Sequence, residues 1–387
     1  MRQTLFLAAL TTAMGLAEHA AATDLEVRFC PAGQARSYPL NSERGAQGLV
    51  LQNLAIVNAG LADIHLSGVR IELLRDGEVV DSRRLGAADL TRVGKGGQGL
   101  QASGLMKLAG FQFCGEAMIS SGMTLAGPDL GPSQALLVTS QTFAWRGARD
   151  TLRVTAAGQS LGHDVAVVAD LPIVDKPAPV TFRFPLQGAW YVAAGPSFHT
   201  QHRWGVQEEF AFDIIRVGTD GRSYRGTGAR FSDYYAYGQP VLAAADGQVV
   251  AATDGAAEHP EAMRRPDETD QAYMERLQAD QAKRLAEGLA GVVGNYVTIA
   301  HGGVYSTAAH LQPGSVLVKP GDLVKAGQVI GKLGSSGNST EPHLHWQVCD
   351  GPDPLACAGL PATFTGLKVL SADLPRPLQS GDVVIAP

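Results

Sequence analysis

The sequence predicts a mainly β protein of two domains, an N-terminal β-sandwich followed by a second, mostly β domain with a helical insertion. Three observations carry this. Short alternating runs recur along the chain and are punctuated by many of its 46 glycines, as expected of short strands joined by tight turns. The stretch VDKPAPV, residues 174–180, reads as a proline-rich linker between two such series. One charged segment, residues 258–290, lacks strand alternation. At 387 residues with 45% apolar side chains, the chain has room for more than one ordinary core.

Taken in order, the chain opens with MRQTLFLAALTTAMGLAEHAAATDL. Arg2, the apolar run Leu5 to Leu16 and the small residues Ala20 to Ala22 have the layout of a secretory signal peptide, residues 1–22, cut near Ala22. The apolar run is too short for a membrane span, and no later stretch is long and apolar enough to provide a transmembrane anchor. The reading is therefore of a periplasmic or secreted chain. Its four cysteines fit disulfides in an oxidising compartment. Proximity pairs Cys349 with Cys357 and leaves Cys30 with Cys114. A net charge of −6 argues against nucleic acid as a partner.

Residues 24–175 read as an immunoglobulin-like sandwich serving as an accessory domain. VRIELLRDGEVVDSRRL is two strand-like runs about Asp76-Gly77, a strong hairpin signal. LLVTSQTFAW and DTLRVTAAG add further strands. Between them GKGGQGLQASGLMKLAG is glycine-rich and ambiguous. His65 and His163 are isolated and suggest no chemistry. Residues 176–185 read as the linker, 186–370 as the second domain and 371–387 as a tail. Within the 258–290 insertion, Met274, Leu277, Gln281, Leu285 and Leu289 lie near helical spacing from about Asp270 onward. The insertion is expected to be a solvated surface helix, or a lid or docking site for a protein partner.

Ten histidines occur and seven fall between His199 and His345. In EPHLHWQV, strand alternation puts His343 and His345 on one face and Leu344 on the other. In FAFDI, Phe210 and Phe212 share one face, and Ala211 and Asp213 the other. A carboxylate in so apolar a strand is costly unless a metal or a basic residue meets it. His199 and His202 lie just upstream, and His310 ends a strand in YSTAAHLQPGS. Two histidines and one carboxylate are a ligand set for catalytic zinc, which keeps a further position open for water and makes that water reactive near neutral pH. Remaining histidines can serve as base or oxyanion support. Tyr235 and Tyr237 in DYYAYGQPV and Asn338 before the HLH strand are the candidates for substrate contact; packing and turn-shaping are their alternative roles.

Residues from about 190 to 370 resemble the lysostaphin-type (LytM-like) zinc metallopeptidases, which cut peptides of bacterial peptidoglycan. The resemblance rests on FAFD, YGQPVLAAADGQVV, GNYVTIAHGG, AAHLQPGS and VKPGDLVKAGQVIGKLGSSGNSTEPHLHWQV, in that order. It implies a LytM-like antiparallel β-sheet peptidase domain, one zinc per chain, and peptidoglycan stem peptides as substrate. It implies Asp213 and His345 as zinc ligands, His343 as general base and His310 as support for the water or oxyanion. The commonest pattern of that family has its first histidine ligand four residues before the aspartate, where this chain has Glu209. His202 sits where relatives with a longer loop place that ligand, with His199 as the alternative. The rival reading is a degenerate peptidase-like domain that binds cell wall or activates a separate hydrolase, with the N-terminal domain or the insertion meeting a protein partner.

Overall fold

The computed structural model describes residues 24–41, 45–114, 118–119, 122–197, 200–265, 267–370 and 377–387. The signal-peptide reading and His199 lie outside the described residues.

In the N-terminal domain Thr151–Ser160 alternates buried and part-exposed residues, whereas Ala46–Asn58 is buried along most of its length. Ala46–Asn58 pairs antiparallel with Gln134–Arg146 on one side, and Ile64–Arg75 pairs with Thr151–Ser160 on the other. Leu49, Leu54 and Ile56 of the first pair meet Ile71, Leu73 and Val154 of the second in one buried core. A short parallel pairing of Ile173–Val174 with Ala35–Arg36 joins the two halves. The hairpin about Asp76-Gly77 forms as its sequence predicts, with both turn residues at positive φ, 52° and 82°. The ambiguous glycine-rich stretch supplies most of a helix, Ala87–Ala102. Gly94 and Gly97 lie on its buried face. A Cβ on Gly94 would lie 2.4 Å from Gly127 Cα, so bulk there would push the helix away from that segment.

The second domain is built on a nine-stranded sheet whose neighbours are all antiparallel. Its central strands run in the order Asn295–Ala300, Tyr305–Leu311, Leu344–Cys349, Phe212–Ile215, Gly188–Ala194. Leu344, Trp346, Phe212, Ile214, Val297 and Ala308 fill the core under one face. The stretch expected as a linker, 176–185, contributes to this core. Thr181–Arg183 pairs with Thr363–Thr365, and Ala178, Phe182 and Phe184 are buried in the cluster. The prolines around them mask that role in the sequence. Part of the expected tail is likewise a strand, Val383–Ala386, paired with Gly188–Tyr191.

The insertion forms the helix Asp270–Ala286, capped by Thr269 Oγ1 accepting from Ala272 N at 3.2 Å, and then Leu289–Val293. It is docked on the domain and does not stand off in solvent. Leu277 is buried, and Arg284, 4% exposed, donates from Nη1 to Gly337 O at 2.7 Å and Ser339 O at 3.2 Å. Those carbonyls belong to the loop that feeds the HLH strand. Both expected disulfides, Cys30–Cys114 and Cys349–Cys357, are formed. Among the described residues no helix is long and apolar enough to cross a membrane.

Candidate metal centre

Three adjacent strands set the site. His345 pairs with Asp213 on one side and with Ala309 on the other. Cross-strand partners share a face, so both residues stand beside His345 on the face away from Leu344 and Trp346. The Asp213 carboxylate then meets three imidazoles. His202 Nε2 lies 3.1 Å from Oδ2, His345 Nδ1 3.1 Å from Oδ1, and His343 Nε2 3.5 Å from Oδ1. His202 reaches it from a short 3₁₀ turn, Gln201–Trp204. His202, Asp213 and His345 each offer one ligand atom, and these atoms lie within 4.8 Å of one another. Two nitrogens and one oxygen converging at that spacing are a donor set suited to a divalent metal ion.

His310 enters by a different device. Leu311 pairs with Asn295 and Ala308 with Val297, so Ala309 and His310 together face the single residue Tyr296. This is a β-bulge, and His310 takes φ 61° in it. Regular alternation would place His310 opposite Ala309; the bulge re-aims it, and both line the same cleft. His310 Nδ1 donates to Ser336 O at 2.8 Å, and its ring centroid is 4.7 Å from that of His343. His343 Nδ1 in turn donates to Glu341 O at 2.8 Å. Both rings therefore direct Nε2 away from the backbone.

The charges are set by this crowding. Burial alone would push the Asp213 carboxyl up, but the facing His202 and His343 rings outweigh it and hold the group well below the usual carboxylate range. Burial opposes charge on His345, yet its hydrogen bond to Asp213 raises it to about 9. His343 is raised by the same carboxylate against its own burial. His310 goes the other way: burial, and then its neighbours His343 and His345, push it well below the ordinary histidine value.

The cleft is lined by these residues together with Gln201, Glu208, Gln281, Asn338 and Gln347. Sequence reasoning singled out Asn338, and its buried Oδ1 has no hydrogen-bond partner among the described residues. Tyr235 and Tyr237 are not in the cleft lining. Tyr237 donates to Glu258 Oε2 at 2.8 Å and stacks on Phe231, and Tyr235 packs under Arg225. Glu209 turns away from the cluster and faces Arg203 at 3.3 Å.

Gln347 escaped the sequence reading although strand period puts it on the face of His343 and His345. Its Nε2 donates to Pro354 O at 3.1 Å, which leaves Oε1 to accept from His345 Nε2 at 2.7 Å. With Nε2 carrying the proton, the lone pair of a neutral His345 falls on Nδ1, the atom that faces Asp213.

Known proteins match part of this chain. Residues 280–356 match the model of Peptidase family M23, a stretch that holds His310, His343 and His345. The peptidoglycan DD-endopeptidase ShyB of Vibrio cholerae is 49% identical over 55 residues, covering 14% of this chain and 13% of that protein. Lysostaphin of Staphylococcus simulans is 70% identical over 30 residues, 8% of this chain and 6% of that one. The chain thus spans a small fraction of the length of the curated relatives it matches. Among solved structures, the lysostaphin catalytic domain from Staphylococcus simulans is 20% identical with a TM-score of 0.24, over 44% of this chain and 86% of that one.

Proposed function

We propose that this chain, which carries a peptidase family M23 domain, is an exported zinc metalloendopeptidase that hydrolyses peptide cross-links of peptidoglycan. The observation that carries the reading is the convergence of His202 Nε2, an Asp213 oxygen and His345 Nδ1 beside two further imidazoles in one cleft. Those three groups would hold one zinc ion. Zinc bound there would supply Lewis acidity toward a carbonyl and a lowered pKa for water.

The chain's own residues supply the rest. His343 Nε2 is the second-ring nitrogen nearest the donor cluster, and we assign it the proton of the attacking water, to be passed on to the leaving amine. His310, one ring further out, donates its Nδ1 proton to Ser336 O and so presents the lone pair of Nε2, which we assign to hold the attacking water by accepting one of its hydrogens. To Asn338, whose buried Oδ1 is unpartnered among the described residues, we assign the acceptor for a backbone N–H of the substrate. The similarity to a protein named peptidoglycan DD-endopeptidase supports stem-peptide cross-links as the substrate. The signal-like residues 1–22 and the two disulfides support a periplasmic or secreted location.

The test is a digest of purified peptidoglycan by wild type and His345→Ala, with products resolved by mass. New muropeptides from wild type alone are expected. Intact peptidoglycan after treatment with zinc-loaded, folded wild type overturns the reading.

A further inference from the structure

Resting on the metal reading above, we propose that the N-terminal domain is a working part of the metal centre: Tyr38 and Gln52 position the ligand His202 from across the domain boundary. The turn Gln201–Trp204 that carries His202 has four residues, and a 3₁₀ turn this short has little stability of its own. Where it sits is decided by what grips it.

Neighbouring residues of the turn diverge. His202 points to Asp213, and Arg203 points to the N-terminal domain. Arg203 is fully buried. Its guanidinium carbon lies 3.8 Å from the ring centroid of Tyr38, on the strand Ala35–Asn41, and 5.0 Å from that of Phe210. A desolvated guanidinium stacked on an aromatic face is among the stronger cation–π arrangements. Nη1 also donates to Glu209 O at 3.0 Å and faces Glu209 Oε1 at 3.3 Å. The residue that stands where the commonest family pattern has a ligand is here the partner of an anchor.

A second fastening is independent of the first. Gln52, 1% exposed on the strand Ala46–Asn58, donates from Nε2 to Gly205 O at 3.2 Å, at the end of the turn. Val206 then enters a buried cluster with Cys30, Ala55 and Val57 of the N-terminal domain. His202 is thus held on the residue before one grip and three residues before the other. Two of the three metal donors come from the central sheet, and the third is placed by another domain in the same chain.

The test uses the full chain and reads metal affinity by competition with a chromogenic chelator, with zinc and with cobalt, whose visible spectrum reports the ligand set. Tyr38→Ala and Gln52→Leu are each expected to weaken zinc about 10- to 100-fold and to move the cobalt spectrum toward that of His202→Ala. Tyr38→Phe, which keeps the ring, is expected to match wild type. Wild-type affinity and spectrum in both Tyr38→Ala and Gln52→Leu overturn the proposal. Should Tyr38→Ala fail to fold, Gln52→Leu decides. Arg153→Ala breaks only the ion pair with Asp170 elsewhere in the domain and should keep wild-type affinity; an equal loss there overturns the specific roles of Tyr38 and Gln52. Wild type that binds neither metal overturns this proposal and the zinc reading together.

Discussion

Asp213 and His345 are direct cross-strand partners, and His345 Nδ1 stands 3.1 Å from Asp213 Oδ1. Because the contact joins two hydrogen-bonded strands of the central sheet, its geometry is fixed by backbone pairing and does not depend on a mobile loop. Asp213→Asn keeps the shape of the side chain but removes the charge that faces three imidazoles. We expect it to fold and to lose metal more severely than the 10- to 100-fold typical of an outer-shell change. Isothermal titration with zinc checks this, and unchanged affinity would count against Asp213 as a ligand.

Gln347 is expected to act through His345. Gln347→Leu removes the acceptor for His345 Nε2 and frees the ring to take the other tautomer. Zinc affinity should fall by about 10- to 100-fold. Gln347→Glu retains an acceptor oxygen and should stay within a few-fold of wild type. Chelator competition on the two variants separates the hydrogen bond from simple packing, since both substitutions alter the contact with Pro354.

The bulge at His310 makes a specific demand. Asparagine tolerates positive φ better than most residues, so His310→Asn should keep the fold and the bound zinc while peptidoglycan hydrolysis falls by about 10²–10³, the scale of a lost acid–base group. A β-branched residue in that conformation is strained, and His310→Val should also lower the melting temperature. Equal melting temperatures for the two variants would remove the backbone part of the argument.

These residues also mark how far the sequence could be read. Strand period sorts His343, His345 and Asp213 onto faces, and a lone carboxylate in an apolar strand calls for a partner, while the separate roles of the three came from the family resemblance. Gln347 obeys the same period but carries an amide, which announces no chemistry. His310 was found, but not its bulge, because the extra residue shows only in the pairing with the next strand. The helix Ala87–Ala102 was hidden by its glycines, and the reason for one of them, the close approach of Gly94 to Gly127, is a contact between distant segments. Phe182 and Phe184 were taken for linker because prolines flank them, and their burial depends on Thr363–Thr365, far along the chain. Tyr235 and Tyr237 lie outside the cleft lining, since aromatic content alone does not say which surface a ring faces.

Glu209 gives a pH prediction. Burial pushes its carboxyl up from 4.5 to about 7, against the pull of Arg203 and Arg36. Between those values the folded chain keeps a proton that the unfolded chain gives up, so stability falls as pH rises through the window, by up to about 3 kcal/mol. Glu209→Gln cannot titrate and should show a smaller loss between pH 5 and pH 7.5. Urea midpoints for both proteins at the two pH values, with zinc held constant, measure the difference. Parallel declines would show that Glu209 does not contribute the slope.

The Cys349–Cys357 bond closes the loop that contains Pro354, and the Pro354 carbonyl is what commits the Gln347 amide to His345. The tautomer of the ring at the centre of the site is thus secured through a loop held closed by a covalent bond that starts four residues further along its own strand.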